Sequence, residues 1–309
     1  MLNVSAPALL LGFDDESAPV TRLAEAGGWP VATVQRHRFP DGELRLRLPE
    51  PLPPRVVVYR SLHRPNEKLV ELLLVARHAR QAGVGHLTLV APYLGYMRQD
   101  MAFQPGEVVS QRIVGAWLAD LFDAVITVDP HLHRVATLAE AVPVAQPVVL
   151  SGAPALADWI ARQRPGALLL GPDEESAQWV AQAARRHGND SAVCRKVRHG
   201  DRSVRIELPD RAWAGRQVVI LDDVASTGHT VAQAARLLRE AGAVSVDVAV
   251  THALFAGDAL DVLHAAGVGA VWSTDCITHP SNVVFMAAAL AAALQGVLDA
   301  PALPMMPPA

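Results

Sequence analysis

The sequence predicts an α/β protein made of two tandem units, each a mainly parallel sheet flanked by helices. Three observations predict it. Short apolar runs rich in branched residues alternate with stretches of helical periodicity along nearly the whole chain. The 309 residues are enough for roughly two domains with real cores. Residues Val218 to Thr230 read as a buried strand, a small hydroxyl-rich loop and a helix start, which is the repeating unit of an open parallel sheet.

Taken in order, Leu9 to Phe13 is a strand and a helix runs on through Leu23. Val31 to Leu48 reads as a hairpin turning at Pro40-Asp41-Gly42-Glu43. Val56 to Tyr59 is a strand, Glu67 to Gln81 a helix with apolar residues at helical spacing, and His86 to Ala91 a strand. Pro92 to Val108, rich in Gly, Pro and polar groups, is a connection long enough to suggest function. Val109 to Phe122 is a helix and Ala124 to Val128 a strand ending in Asp129-Pro130-His131. The apolar, proline-containing link Val142 to Leu150 marks a boundary, dividing the chain into 1–147 and 148–300. The second block reads as helix Ala155 to Gln163, strand Ala167 to Leu170, helix Ser176 to Arg186, a basic strand around Lys196 and its partner Ser203 to Leu208. There follow the strand and helix of the Val218 to Thr230 motif, strands at Val244 to Val250 and Ala270 to Ser273, and a final helix from Asn282 to about Leu298. The tail 301–309 is expected to be disordered.

Composition excludes several classes. Hydrophobic residues make up 51% and charged residues 19%, as in a soluble globular protein, and a net charge of −4 gives no general attraction to nucleic acid or membrane. The longest apolar run, Val283 to Leu294, is too short to span a bilayer, and the N-terminus shows no export signal. Cys194 and Cys276 lie far apart without metal or disulfide spacing and read as core thiols of a cytoplasmic protein.

The chemistry gathers at carboxyl ends of predicted strands, where open sheets bind ligands. Ser226, Thr227, Gly228, His229 and Thr230 offer hydroxyls, backbone N–H groups and a helix N-terminus, an anion cradle. Asp222 and Asp223 cannot hold phosphate and suit sugar hydroxyls or a metal beside it. A phosphorylated sugar satisfies both halves. Of the 27 basic side chains only Lys68 and Lys196 are lysine. Lys196 shares a strand face with Arg198, and two neighbouring cations repel unless an anion joins them. Lys68 reads as a helix-surface residue. His131 and Asp173 end strands in different halves; with water and phosphate oxygens they would suffice for Mg²⁺, although taken alone His131 also reads as a packing residue and Asp173 as an N-cap. His133 could share the face of His131, but zinc would need further ligands. The loop Tyr96-Met97-Arg98-Gln99-Asp100 carries groups able to stack on a base and bind phosphate.

In this order the motifs resemble those of the ribose-phosphate diphosphokinase family, over nearly the whole chain. Arg38-Phe39-Pro40-Asp41-Gly42-Glu43 is similar to the family's hairpin, Arg98-Gln99-Asp100 to its ATP segment, and Val128-Asp129-Pro130-His131 to its Val-Asp-Leu-His. Gly171-Pro172-Asp173 resembles its Ser-Pro-Asp, Lys196 and Arg198 its Lys-x-Arg pair, Asp222 to Thr230 its ribose-5-phosphate loop, and Thr274-Asp275 its Thr-Asp-Thr-Ile. The resemblance implies two phosphoribosyltransferase-like domains and pyrophosphoryl transfer from ATP to ribose 5-phosphate. It puts Phe39, Asp41, Glu43, Arg98, Gln99, Asp100 and His131 on ATP, with the hairpin reaching the nucleotide of a neighbouring subunit, so that a homo-oligomer is required. It puts Asp222, Asp223 and Ser226 to Thr230 on the sugar phosphate, His131 and Asp173 on Mg²⁺, and Lys196 and Arg198 on the transferring group. Ser226, the loop Phe103-Gln104-Pro105-Gly106-Glu107 and Met101 depart from the commonest pattern, the first two toward the archaeal branch. His229 replaces a glycine and would either obstruct phosphate or donate to it. A regulatory homologue and a phosphoribosyltransferase are the alternatives. Lys196 and Arg198 speak against the first, and the whole N-terminal half against the second.

Overall fold

The alternation of strand and helix forms two separate parallel sheets in the computed structural model, which describes residues 8–132, 134–199 and 203–300, with the backbone alone for 197–199 and 203–205. The first half contains β1 (Ala8–Gly12), α1 (Ser17–Gly27), β2 (Val31–Thr33), β3 (Gln35–Arg38), β4 (Leu44–Arg47), β5 (Arg55–Tyr59), α2 (Pro65–Gln81), β6 (His86–Val90), α3 (Ser110–Leu121), β7 (Ala124–Val128), α4 (Leu138–Ala141) and β8 (Gln146–Leu150). Six of these strands form one sheet in the order β2-β1-β5-β6-β7-β8, parallel throughout, and β3 and β4 stand apart as an antiparallel hairpin. The expected hairpin over Val31 to Leu48 is therefore shorter, because Val31–Thr33 joins the main sheet beside β1. Gln146–Leu150, read as part of a link, is that sheet's edge strand.

The second half contains α5 (Ala153–Gln163), β9 (Leu168–Gly171), α6 (Ala177–His187), β10 (Ser191–Val193), β11 (Arg195–His199), β12 (Ser203–Glu207), β13 (Gln217–Ala225), α7 (His229–Glu240), β14 (Ser245–Ala253), α8 (Ala259–Ala265), β15 (Val271–Thr274), β16 (Asn282–Val284) and α9 (Ala287–Asp299). Its sheet runs β10-β9-β13-β14-β15-β16, again all parallel, with β11 and β12 as an antiparallel hairpin. Val218 to Leu221 are at most 1% exposed. Strands covered on both faces read as continuous apolar runs, which is why this one was legible. Removing such a side chain costs about 2–5 kcal/mol.

The two topologies are the same, and so is part of the sequence. Residues 8–17 and 167–176 differ only at Phe13/Pro172 and Asp15/Glu174. Leu11 pairs with Val58 as Leu170 pairs with Ile220, so the register makes Arg60 the counterpart of Asp222. Arg36 is likewise the counterpart of Lys196, two residues along each hairpin's first strand.

Contacts divide the chain into one unit reaching Leu150 and resuming at Ala287, and a second from Ser151 to Met286. The final helix thus differs from the sequence-based division at 147/148 and 300. Its first residues, Asn282–Val284, form strand β16, and α9 packs on α1 as α5 packs on α6. Arg55 of β5 also donates to the Leu298 carbonyl. The tail 301–309 and His133 lie outside the described residues.

Candidate functional site

In each sheet the strand order reverses between its first and third strands, β1 and β5 in one unit, β9 and β13 in the other. Such a switch point opens a crevice at the carboxyl ends of the strands.

In the second unit β13 runs on after β9 stops pairing with it, so Asp222 and Asp223 lie within the strand rather than after it, Asp222 beside Val250 of β14. Asp223 is 5% exposed and donates its N–H to Asp222 Oδ1 at 3.0 Å. Burial pushes the Asp222 carboxyl well above the usual carboxylate range, and the charges of Asp223 and Asp173 push the same way. Asp173, at the end of β9, is the N-cap the sequence allowed and also meets Lys196. Its Oδ1 caps the following turn, accepting from the N–H groups of Glu175 at 3.0 Å and Ser176 at 3.3 Å. Its Oδ2 lies 2.5 Å from Lys196 Nζ. Burial works against the Lys196 ammonium, but Asp173, with Glu175 and Asp222, outweighs it and raises its pKa above the ordinary lysine value. The Arg198 side chain lies outside the described residues.

The loop after β13 is pinned from behind, since Phe255 and Ala256 donate their N–H groups to the carbonyls of Ala225 and Ser226 at 2.9 Å. Gly228 has φ +74°, and a Cβ there would sit 3.3 Å from the Ala259 carbonyl oxygen, so the position requires glycine. His229 begins α7 with its side chain exposed, so the helix accepts it where a second glycine is commonest. No side chain caps this helix. Its N-terminal N–H groups, the positive end of the helix dipole, therefore have no side-chain cap and follow directly on Ser226 and Thr227 in the chain. Thr274 and Asp275 tie the neighbouring loops, the hydroxyl donating to the Thr251 carbonyl at 2.6 Å and the carboxylate accepting from the Met286 N–H at 2.8 Å.

In the first unit, Phe39, Asp41 and Glu43 form the exposed tip of the β3–β4 hairpin, where Asp41 Oδ1 accepts from the Glu43 N–H at 3.1 Å. Arg98 is exposed, and Gln99 Nε2 donates to the Met101 carbonyl at 2.9 Å. The resemblance puts Asp100 on the nucleotide. Its side chain is buried, accepting from Arg134 Nη1 at 2.7 Å and from the Arg134 N–H at 3.3 Å. It braces its loop to the one carrying His131, the two loops leaving the adjacent strands β6 and β7. Asp129, two residues before His131, is buried with φ +36°, a strained left-handed corner of the kind that collects at functional sites.

Lys68 is not on the surface. It is 6% exposed and donates to Glu16 Oε1 at 3.1 Å and to the Ser61 carbonyl at 2.6 Å. It belongs to a network the sequence reading missed, with Asp14, Asp15, Glu16, Arg36, Arg60 and Glu71 filling the first unit's crevice. The repeat between residues 8–17 and 167–176 was the available signal. Burial, then Lys68 and Arg60, lower the neighbouring His63 to about 4. Among the described residues no group of three or more His, Cys, Asp or Glu could hold a metal, and no helix is long and apolar enough to cross a membrane.

The chain matches the N-terminal domain of ribose phosphate pyrophosphokinase over residues 11–121 and the phosphoribosyl transferase domain over residues 145–268. It is 36% identical to a ribose-phosphate pyrophosphokinase of Methanopyrus kandleri, covering 89% of this chain and 94% of that one. A protein of the same name from Halobacterium salinarum is 33% identical, covering 93% and 100%. The crystal structure of phosphoribosylpyrophosphate synthetase from Mycobacterium smegmatis superposes with a TM-score of 0.79 at 24% identity, covering 95% and 99%, and shares the fold.

Proposed function

The chain belongs to the ribose-phosphate pyrophosphokinase family, and from that premise we propose that it transfers the pyrophosphoryl group of ATP to the anomeric hydroxyl of ribose 5-phosphate, giving 5-phosphoribosyl 1-pyrophosphate and AMP. The observation that carries the reading for this chain's own residues is the uncapped N-terminus of α7 opening beside Asp222. The helix end and the hydroxyls of Ser226, Thr227 and Thr230 bind the 5-phosphate. The imidazole of His229 is free to donate to it. Asp222 and Asp223 accept hydrogen bonds from ribose hydroxyls, which orients the anomeric oxygen toward the nucleotide. Phe39, Asp41, Glu43, Arg98, Gln99, Asp100 and His131 form the ATP side, Asp100 also bracing its loop through Arg134.

Phosphoryl-type transfer requires in-line placement and neutralisation of spreading charge more than covalent help. Lys196 releases Asp173 and, with Arg198, offsets charge on the transferred group and the leaving AMP. That pair is 34% exposed on the lysine side and 9% on the aspartate side, so the buried carboxylate needs another cation when Lys196 leaves it.

The residues fit Mg²⁺. Burial first, and then the carboxylates of Asp223 and Asp173, raise the Asp222 pKa; a cation relieves that crowding, and Asp173 Oδ2 already faces one. Asp173 would hold the ion with water and substrate phosphates, as suits a metal that rarely takes an all-protein cage. Bound there, it supplies charge neutralisation on phosphate oxygens. We also assign the protein to the cytoplasm and to a homo-oligomer in which the hairpin serves a neighbouring subunit's nucleotide. The test is AMP formation by purified protein given ribose 5-phosphate, Mg²⁺ and ATP. Nucleotide binding without AMP would overturn the assignment.

A further inference from the structure

The first unit has the same crevice in the same topology, and the chain's own side chains fill it. In the second unit the hairpin residue Lys196 makes, among the described residues, one ion pair, with Asp173. Its counterpart Arg36 donates to Glu71 Oε1 at 2.8 Å, to Asp15 Oδ1 at 3.0 Å and to Asp14. Glu71, 1% exposed, also accepts from Arg60 Nε at 2.8 Å, and its Oε2 lies 2.6 Å from Arg60 Nη2. Arg60 itself is 1% exposed; its Nη1 lies 2.7 Å from Asp15 and 3.1 Å from Glu16, and its guanidinium stacks 4.3 Å over Phe13. Where the second unit has the acid Asp222, the first has a guanidinium that satisfies the surrounding acids internally. Further along the hairpin, Arg38 pairs with Glu67 at the start of α2.

Buried ion pairs contribute little to stability relative to apolar packing, but each buried charge requires its partner, which ties together the elements that carry them. The geometry at stake is the hairpin's. An open cleft of about 790 Å³, lined by Thr33, Gln35, Leu44, Leu74 and His78 among others, runs beside the hairpin, whose packing on the core comes through Leu46 of β4, so the ion pairs carry much of its attachment at the β3 side. The tip is stiff in itself, the Phe39 N–H donating to the Glu43 carbonyl at 2.8 Å and the Gly42 N–H to the Phe39 carbonyl at 2.9 Å. Movement at the root is therefore carried to Phe39, three residues beyond Arg36.

We infer that this ion-pair clasp is a positioning device for the nucleotide, with Arg36 as its link to the hairpin. The inference rests on the reading of the hairpin as part of the ATP site. Arg36→Gln tests it, because Glu71, Arg60, Glu16 and Lys68 remain paired and the fold is retained. The expected result is a KM for ATP raised about fivefold or more, with kcat within about twofold and the KM for ribose 5-phosphate unchanged. Amide exchange in residues 35–47 of the full chain should accelerate about tenfold or more, without change in β5 and β6. Arg38→Gln, at the exposed end of the anchor, should shift both readouts the same way by less. Unchanged exchange in Arg36→Gln overturns the inference, as does faster exchange with a wild-type KM for ATP, or an equal loss for both substrates. Phe39→Ala separates the two readings. If it leaves the KM for ATP unaltered, the hairpin's nucleotide role falls; if it raises that KM while Arg36→Gln behaves as wild type, the clasp alone falls.

Discussion

Lys196 and Asp222 are governed by the same few carboxylates, and their substitutions should separate chemistry from stability. Lys196→Ala should lower kcat by about two orders of magnitude or more, the scale of losing a donor to developing charge, with circular dichroism unchanged. Near-normal turnover would refute its role. Asp222 has the opposite character, because its folded pKa is raised, by burial first and by Asp223 and Asp173 after it. Such a group costs nothing below its unfolded value near 3.8, and the cost grows as pH rises through the folded pKa. Asp222→Asn should therefore raise the melting temperature of the ligand-free protein by a few degrees at neutral pH, a gain that shrinks toward pH 4, while abolishing turnover. A neutral-pH melting temperature below wild type would contradict this account. Cys194 and Cys276 are both buried, and burial pushes the Cys194 thiol up to about 12, which bears out the sequence reading of core thiols.

At the scale of elements, the loop and first turn of α7 combine two requirements that a single glycine meets. Gly228 takes φ +74° to turn the chain into the helix, and its missing Cβ leaves room for the Ala259 carbonyl. Gly228→Ala should destabilise the protein by about 1–2 kcal/mol, read by urea unfolding, and raise the KM for ribose 5-phosphate more than that for ATP. Equal effects on both substrates would count against the cradle. Most elements were legible because fully covered parallel strands are apolar end to end and the helices between them are periodic. The misses have a common cause. β2, β10 and β16 are three-residue strands, too short to carry a period and identified by their neighbours. Lys68 sits on a helix whose sequence suggested a surface position. Its burial depends on Glu16, fifty-two residues away. Asp100 is likewise turned inward by Arg134, thirty-four residues on.

For the molecule as a whole, the proposed assignment of the hairpin to a neighbouring subunit's nucleotide makes a prediction that no single chain can show. At an ATP concentration well below the raised KM of Phe39→Ala, that protein and Lys196→Ala, each nearly silent alone under that condition, should regain about a quarter of wild-type activity when mixed and allowed to exchange, since mixed dimers carry one intact site. No recovery would place Phe39 and Lys196 in sites of the same subunit, or Phe39 in none. The two-unit α/β fold, the strand ends where chemistry gathers, and the hydroxyl and acid types of the sugar-phosphate loop are legible along the chain, because these depend on sequence neighbours. The return of α9 to the first unit, the double part of Asp173 as cap and as partner of Lys196, and the filling of the first crevice by Arg60 and Glu71 emerge only in three dimensions. Ion pairing and helix docking depend on distance in space between residues remote in sequence, and a linear pattern does not carry that distance.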